Sequence, residues 1–456
     1  MTTTNQREAG PAPVGLGQAV AFSLPALPMS AMVYTVLTIL PGYYAKHTTV
    51  TLAAIGGVLF ASRLFDAVTD PLIGYLSDKT TSRFGARKPW MAAGVLLSML
   101  AVYFLFTPSA SADTTYFLVW SFVGYLAWTM VSIPYQAWGS ELSRRYGERS
   151  RIFAFTGFTG ALGPLLFLLV PLLPIFDSTE FTAETLRIGA VAIMIALPAA
   201  LAITAMRVPR GAGVSVVRPS FRLLASSLRR NRPLHYFIIV FMIGGLSGGI
   251  FLSLIFIYLD SYLGIGDKIP FVLLGWSITH VLFVPLWLRI VHRFGRTRSL
   301  AASWAISAAL SAAMAFVSPG PSAFIIILVL VTLRGIVNAA DTMIPSAVFA
   351  DVIDYDVLKS GTSQAGNFYA FLALATKFNL AIGGATGFLL LSQFGYEVNG
   401  ANDALAEFGL TLTLFIIPIA LSTVACVMMW RFPITARRQG IIRKRIEQRA
   451  LRAGVV

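Results

Sequence analysis

The feature that most constrains this chain is the recurrence of long apolar windows. Twelve of them, centred at about 18–44, 50–75, 89–107, 115–139, 152–176, 186–206, 234–263, 270–291, 299–317, 322–349, 364–393 and 405–431, approach the length a membrane span requires, which is about 20 residues for an α-helix. No water reaches the hydrocarbon core, so each such segment must satisfy its own backbone hydrogen bonds and is therefore helical. The sequence thus predicts an all-α membrane protein with twelve transmembrane helices. Composition agrees: 56% of residues are hydrophobic and only 12% are charged, about half the charge fraction of a soluble domain.

Several function classes drop out at once. The single cysteine, Cys426, excludes an intrachain disulfide. The four histidines, His47, His235, His280 and His292, have no metal-ligand spacing. No nucleophile–base constellation points to an enzyme, and no cofactor is implied. The net charge of +15 is not a nucleic-acid footprint, because the basic residues sit in short loops between apolar windows. Only Lys46, Arg187 and Lys268 fall on one side, while Arg63, Arg334 and Lys377 fall within windows. The remaining Lys and Arg lie on the side of the termini, which the positive-inside rule makes cytoplasmic.

The organisation expected is a disordered cytoplasmic tail at 1–15, a six-helix bundle at 16–206, a basic cytoplasmic linker at 207–233, a second six-helix bundle at 234–431 and a basic cytoplasmic tail at 432–456. Arg83-Phe84-Gly85-x-Arg87 recurs as Arg293-Phe294-Gly295-x-x-Arg298, and the same 210-residue offset carries Glu141 onto Asp351. Two pseudo-symmetric halves with this spacing are the sequence image of a parallel-repeat transporter.

Charges inside apolar windows are costly and mark function by default. Arg63, Asp66 and Asp70 lie at i, i+3 and i+7 on one helical face. Two carboxylates one turn apart can hold a hard cation or share a proton. The plainer alternative is that they only pair with Arg63 and Lys377 to hold helices together. Lys377 is the one ammonium deep in the second half and is expected to pair with Asp66 or Asp70 when the site is empty. Arg334, Asn338 and Asp341 share a face of the tenth window, either as an ion-pair ladder or as a lining of the substrate cavity. Ser132, Tyr135, Gln136, Trp128 and Trp138 are further cavity candidates, and His280 reads as a packing residue. A cytoplasmic gate is expected from Asp78, Arg83, Arg87, Lys88, Glu141, Arg145, Arg149, Arg293, Asp351 and Asp354.

The stretch RLFDAVTDPLIGYLSDKTTSRFGARKPW, the motif Ala350-Asp351-Val352-Ile353-Asp354-Tyr355, Ile133-Pro134-Tyr135, and Lys377 followed by IGGATGF resemble signatures of the glycoside–pentoside–hexuronide:cation symporters. These are the melibiose-permease-like branch of the major facilitator superfamily. The resemblance spans nearly the whole chain and implies the twelve-helix major facilitator fold with cation-coupled symport, the cation being Na+ or H+ with Li+ allowed. It places the cation ligands at Asp66, Thr69, Asp70 and Thr129, with Thr69 standing where the family has Asn. The family's sugar-site residues are replaced: Met29-Ser30, Ser132, Gln136, a position near Thr156, and Thr342 stand in their places. The resemblance alone implies a sugar or glycoside-like solute as the substrate, while the replaced residues also allow a lipid-like or other amphipathic solute as the alternative; a non-transporting sensor is a reading of another class. The protein is expected to act as a monomer in the cell membrane, the inner one in a bacterium.

Overall fold

The computed structural model describes residues 14–143, 146–209, 231–360 and 365–452. Those residues form helices and connecting turns without a strand. We number the long helices in chain order: α1 (Leu16–His47), α2 (Leu52–Lys79), α3 (Lys88–Phe106), α4 (Thr114–Glu141), α5 (Tyr146–Leu168), α6 (Ala183–Arg207), α7 (Arg232–Tyr262), α8 (Gly266–Leu282 and Val284–Phe294), α9 (Arg296–Ala315), α10 (Ala323–Ser360), α11 (Ala365–Gln393), α12 (Ala404–Trp430) and α13 (Ala436–Arg452).

Side-chain caps set many helix starts. Thr51, Asp113, Thr182, Asn231 and Asp403 each accept a hydrogen bond from the backbone N–H three residues on. These N–H groups have no partner within their own helix, so a polar cap at the membrane boundary terminates the apolar run cleanly.

Among the described residues, ten helices are long and apolar enough to cross a bilayer, and the bent pair forming α8 makes an eleventh. The twelfth position is filled by α9, which falls short in apolarity. Its buried face carries Ser299, Ser303, Ser307 and Ser311 at every fourth residue. That stripe faces polar groups on α10 instead of lipid, which explains why a spanning helix can be this polar. The continuous eighth span expected at 270–291 bends by 49° between Leu282 and Val284. Pro285 follows that break, removing a backbone donor and crowding the preceding turn. In α1 a π-turn at Thr35–Ile39 precedes Pro41, which absorbs the ring in the same way.

Helices α1–α6 pack as one half and α7–α12 as the other. The halves meet where α1 packs on α7 and in two further pairs, α2 on α11 and α5 on α8. Shifting by the repeat offset exchanges these two pairs, so the interface keeps the pseudo-symmetry that the duplicated motif encodes. Gly85 and Gly295, the glycines of the two motif copies, both have positive φ (96° and 85°). Each makes a turn that an L side chain would strain.

Within the second half, α7 and α11 cross at glycine. A Cβ on Gly383 would lie 2.6 Å from Gly249 Cα and 2.7 Å from its carbonyl carbon. Gly383→Val is therefore expected to pry these helices apart at a cost of about 1–3 kcal/mol, the range for overpacking. A lower thermal midpoint in detergent checks it, and an unchanged midpoint would show that the crossing yields freely.

Candidate functional site

Three charged side chains, Arg63, Asp66 and Asp70, lie within the apolar run of α2. Asp66 and Asp70 sit one turn apart, and each has its own basic partner. Arg63 Nη1 donates to Asp66 Oδ2 at 2.9 Å within the helix. The Arg63 guanidinium also lies over the Tyr125 ring at 4.5 Å and donates to its hydroxyl at 3.2 Å. Lys377 Nζ, from α11, pairs with Asp70 Oδ2. Thr129 of α4 donates its hydroxyl to Asp70 Oδ1 at 2.8 Å. Asp70 is thus the point where α2, α4 and α11 converge, and its ion pair joins the two halves. Asp66 Oδ1 is buried and has no partner among the described residues. A carboxylate oxygen left in this state is short of a donor or a cation.

Thr69 does not join this set in the arrangement seen. Its hydroxyl donates to Phe65 O at 3.0 Å, one turn back along α2. A threonine on a helix can satisfy itself this way, which sequence spacing cannot distinguish from a ligand role.

A cavity of about 270 Å³ opens in the second half, bounded by α7, α8, α9, α10 and α11. Asn338 and Asp341 line it, as does Arg334. Ser303 donates to Asp341 Oδ1 at 3.3 Å. Arg334 lies over the Phe251 ring at 3.6 Å, donates to Ser307 O at 3.2 Å and bonds Ser311 Oγ. The expected Arg334–Asp341 ladder is therefore not formed, since Arg334 spends its guanidinium on α9 and Phe251. The rest of the wall is largely apolar, with Trp276, Trp304, Phe241 and a glycine-rich face of α7.

The other cavity candidates lie elsewhere. Tyr135 and Trp138 are buried in a cluster with Phe22; Tyr135 stacks on it at 4.5 Å and donates to Phe22 O at 2.5 Å. Trp138 Nε1 donates to Pro209 O at 3.0 Å. Ser132 is buried and Gln136 is exposed, and neither lines the 270 Å³ cavity. Trp128 borders a small apolar void in the first half. His280 packs 5.5 Å from Trp276 near the bend in α8. Position on a helix was legible, but the facing neighbour was not.

Two features mark the residues of the expected gate. First, among the described residues their ion pairs form within each half. Arg87 donates to Glu141 Oε1 through Nη2 at 2.8 Å and Nε at 3.1 Å, and pairs with Asp78 at 2.5 Å. In the second half Arg296, not Arg293, pairs with Asp351. The reason is local: α9 begins at Arg296, directly after the glycine, whereas α3 begins at Lys88. Arg293 and Arg83 instead lie over the adjacent Phe294 and Phe84 rings. Lys88 donates to Ala205 O at 2.8 Å, and Asp354 accepts from Gln439 and pairs with Arg443, both on α13. Arg145 and the side chain of Arg149 lie outside the described residues.

Second, apart from Lys377–Asp70, the polar contacts between the halves among the described residues lie at the opposite end. Lys46 Nζ, from α1, pairs with Asp260 of α7 at 2.8 Å, and Asn399 donates to Lys46 O at 2.6 Å. Thr179 also donates to Asp267 O. In the sequence Lys46 is only a topology marker, one base in the short connection between the first two apolar windows, which carries no signal of a contact with the other half.

The profile of the MFS/sugar transport protein family matches residues 21–436. The glucuronide carrier protein homolog of Escherichia coli is 23% identical over 410 residues, covering 87% of this chain and 88% of that protein. The sodium-dependent lysophosphatidylcholine symporter 1 of Gallus gallus is 24% identical over 429 residues, covering 84% and 80%. Among solved structures, the nucleoside transporter NupG superposes with a TM-score of 0.66 at 15% identity, covering 91% of this chain and 98% of that one, a likeness of fold. A duplicated six-helix architecture, buried charge at the junction of its halves and a family match over most of its length converge: this chain belongs to the MFS/sugar transport protein family and is a multi-pass membrane transporter, not an enzyme.

Proposed function

We propose that the chain couples the entry of a cation to that of a sugar or glycoside-like solute, by alternating access between its two halves. The observation that carries this reading is the Lys377–Asp70 pair. A lysine from one half neutralises an acid of the other at the centre of their interface, backed by a second acid one turn away with a free oxygen. A cation arriving at Asp66, Asp70 and Thr129 competes with Lys377 for Asp70. The ammonium then leaves, and the contact between α2 and α11 loosens. Na+ and H+ both fit, since carboxylate and hydroxyl oxygens serve a hard cation and paired acids can share a proton.

With the basic end cytoplasmic, the Lys46–Asp260 contact closes the outer side. The arrangement then corresponds to an inward-facing state, with the Arg87 and Arg296 clusters bracing each half. The protein acts in this reading as a monomer in the cell membrane with both termini inside. A lipid-like solute is the second reading, favoured by the apolar, tryptophan-bearing wall of the 270 Å³ cavity and by the similarity to a lysophosphatidylcholine symporter.

Uptake into proteoliposomes tests these readings, using a panel of neutral sugars, glycosides and lysophospholipids under Na+, Li+ or proton gradients. Accumulation of a sugar driven by one cation is the expected result. Lysophospholipid accumulation alone would select the second reading, and no accumulation of any solute by well-folded protein would favour a sensor.

A further inference from the structure

The 270 Å³ cavity holds an acid, Asp341, that has no ion-pair partner among the described residues. Asp341 receives a hydroxyl from Ser303 at 3.3 Å and faces the Trp304 indole N–H. Among the described residues, Arg334 is the one charged group that acts on it. Arg334 lies seven residues earlier on α10, roughly 10 Å along the helix axis. Its guanidinium is held by Phe251, Ser307 and Ser311, and no ion pair joins it to Asp341 among the described residues.

Two further acceptors are short of donors. Asn379, 5% exposed, donates its amide N–H to Phe241 O at 3.0 Å, which leaves Oδ1 buried without a partner. Asn338 Oδ1 is buried and unpartnered as well. Both residues line the cavity with Asp341, and Asn338 is one turn from it. The unpartnered donor nearby, Arg334 Nε, belongs to the guanidinium lying over Phe251. The cavity is thus lined by one acid and by two asparagines whose oxygens are short of donors but closed off in this arrangement, so a ligand reaches them as those amides turn; the surrounding wall is Trp276, Trp304 and Phe241.

We propose that this cavity recognises a primary ammonium group on the transported solute. An R–NH3+ head brings three N–H donors for Asp341, Asn338 Oδ1 and Asn379 Oδ1, and aromatic walls favour a cation. A bare metal ion would satisfy the oxygens but leave most of 270 Å³ unfilled, since one water takes up only about 30 Å³. A proton on Asp341 would leave both amide oxygens unpartnered. A quaternary ammonium lacks the N–H groups that they need.

The inference rests on this cavity being the substrate site and narrows the solute that enters it. The test measures binding to the purified full chain in nanodiscs by tryptophan fluorescence and by thermal shift. Matched probes differ only in the head: glucosamine against glucose and N-acetylglucosamine, cyclohexylamine against cyclohexanol, with choline as the quaternary case. Ammonium probes are expected to bind about 10- to 100-fold more tightly than their neutral partners, the range for hydrogen bonds to a charged group. Asp341→Asn should remove that preference, and Asn379→Asp, which adds a second carboxylate, should strengthen it. The pair of opposite-signed variants guards against a variant that merely unfolds.

Equal binding of ammonium and neutral probes, or a preference indifferent to both variants, overturns the inference. Cation-driven accumulation of a neutral sugar alongside that result would leave the symport reading standing. Ammonium binding that follows Asp341, with no cation-driven accumulation of any solute, would instead sink symport and keep the cavity assignment.

Discussion

Lys377→Ala is expected to abolish cation-driven accumulation in proteoliposomes while leaving exchange of substrate across the membrane. The ammonium does two things at Asp70: it neutralises a carboxylate and ties α11 to α2. Removing it leaves Asp70 with the Thr129 hydroxyl alone. A cation then binds without having to displace anything, so its binding no longer loosens the contact between the halves. Linkage makes this measurable from either side. In the wild type the cation should raise substrate affinity by the usual coupling factor, about 5- to 150-fold. In Lys377→Ala that factor should fall to about one, and the substrate should equally cease to raise cation affinity. Accumulation equal to the wild type would show that Lys377 is only a structural pair.

Arg87→Ala should be the most damaging change outside the transport path. Arg87 is 7% exposed and is held by Glu141, Asp78 and Ser77. Its removal leaves Glu141, itself 9% exposed, as a buried acid with no counter-charge among the described residues. Breaking one side of a buried pair costs about 3–5 kcal/mol, more than the pair itself contributes to stability. The thermal midpoint in detergent should drop sharply for Arg87→Ala. The double variant Arg87→Ala with Glu141→Gln should recover much of the loss, because the orphaned charge is gone. No recovery would mean that the arginine acts by packing and not by charge. The equivalent change at Arg296 should be milder, since that side chain is about one third exposed and solvent screens its pair with Asp351.

Apolar windows and loop charges declared a bundle of membrane helices in two related halves, because the bilayer leaves a chain no other way to satisfy its backbone. The acids of α2 and the lysine of α11 stood out for the same reason: charge in an apolar run is expensive and therefore rarely accidental. Those readings depend only on local composition. The difficulties arose wherever a residue's meaning lay in what faced it. Thr69 turned to its own helix, Tyr135 and Trp138 turned to Phe22, and Arg334 turned to the serines of α9. The α9 serines look like a defect in a span until α10 is placed beside them.

Periodicity assigns a residue to a face of a helix, but the partner of that face comes from another helix tens or hundreds of residues away. The sequence by itself determined that Asp66, Asp70 and Lys377 had to be accommodated inside the membrane. Only the tertiary structure decided that Lys377 goes to Asp70 and Arg63 to Asp66. It also decided that Arg296, through the start of its helix, takes the place beside Asp351. Spacing along one chain fixes rotation about a helix axis, whereas pairing between helices is fixed by how the bundle packs.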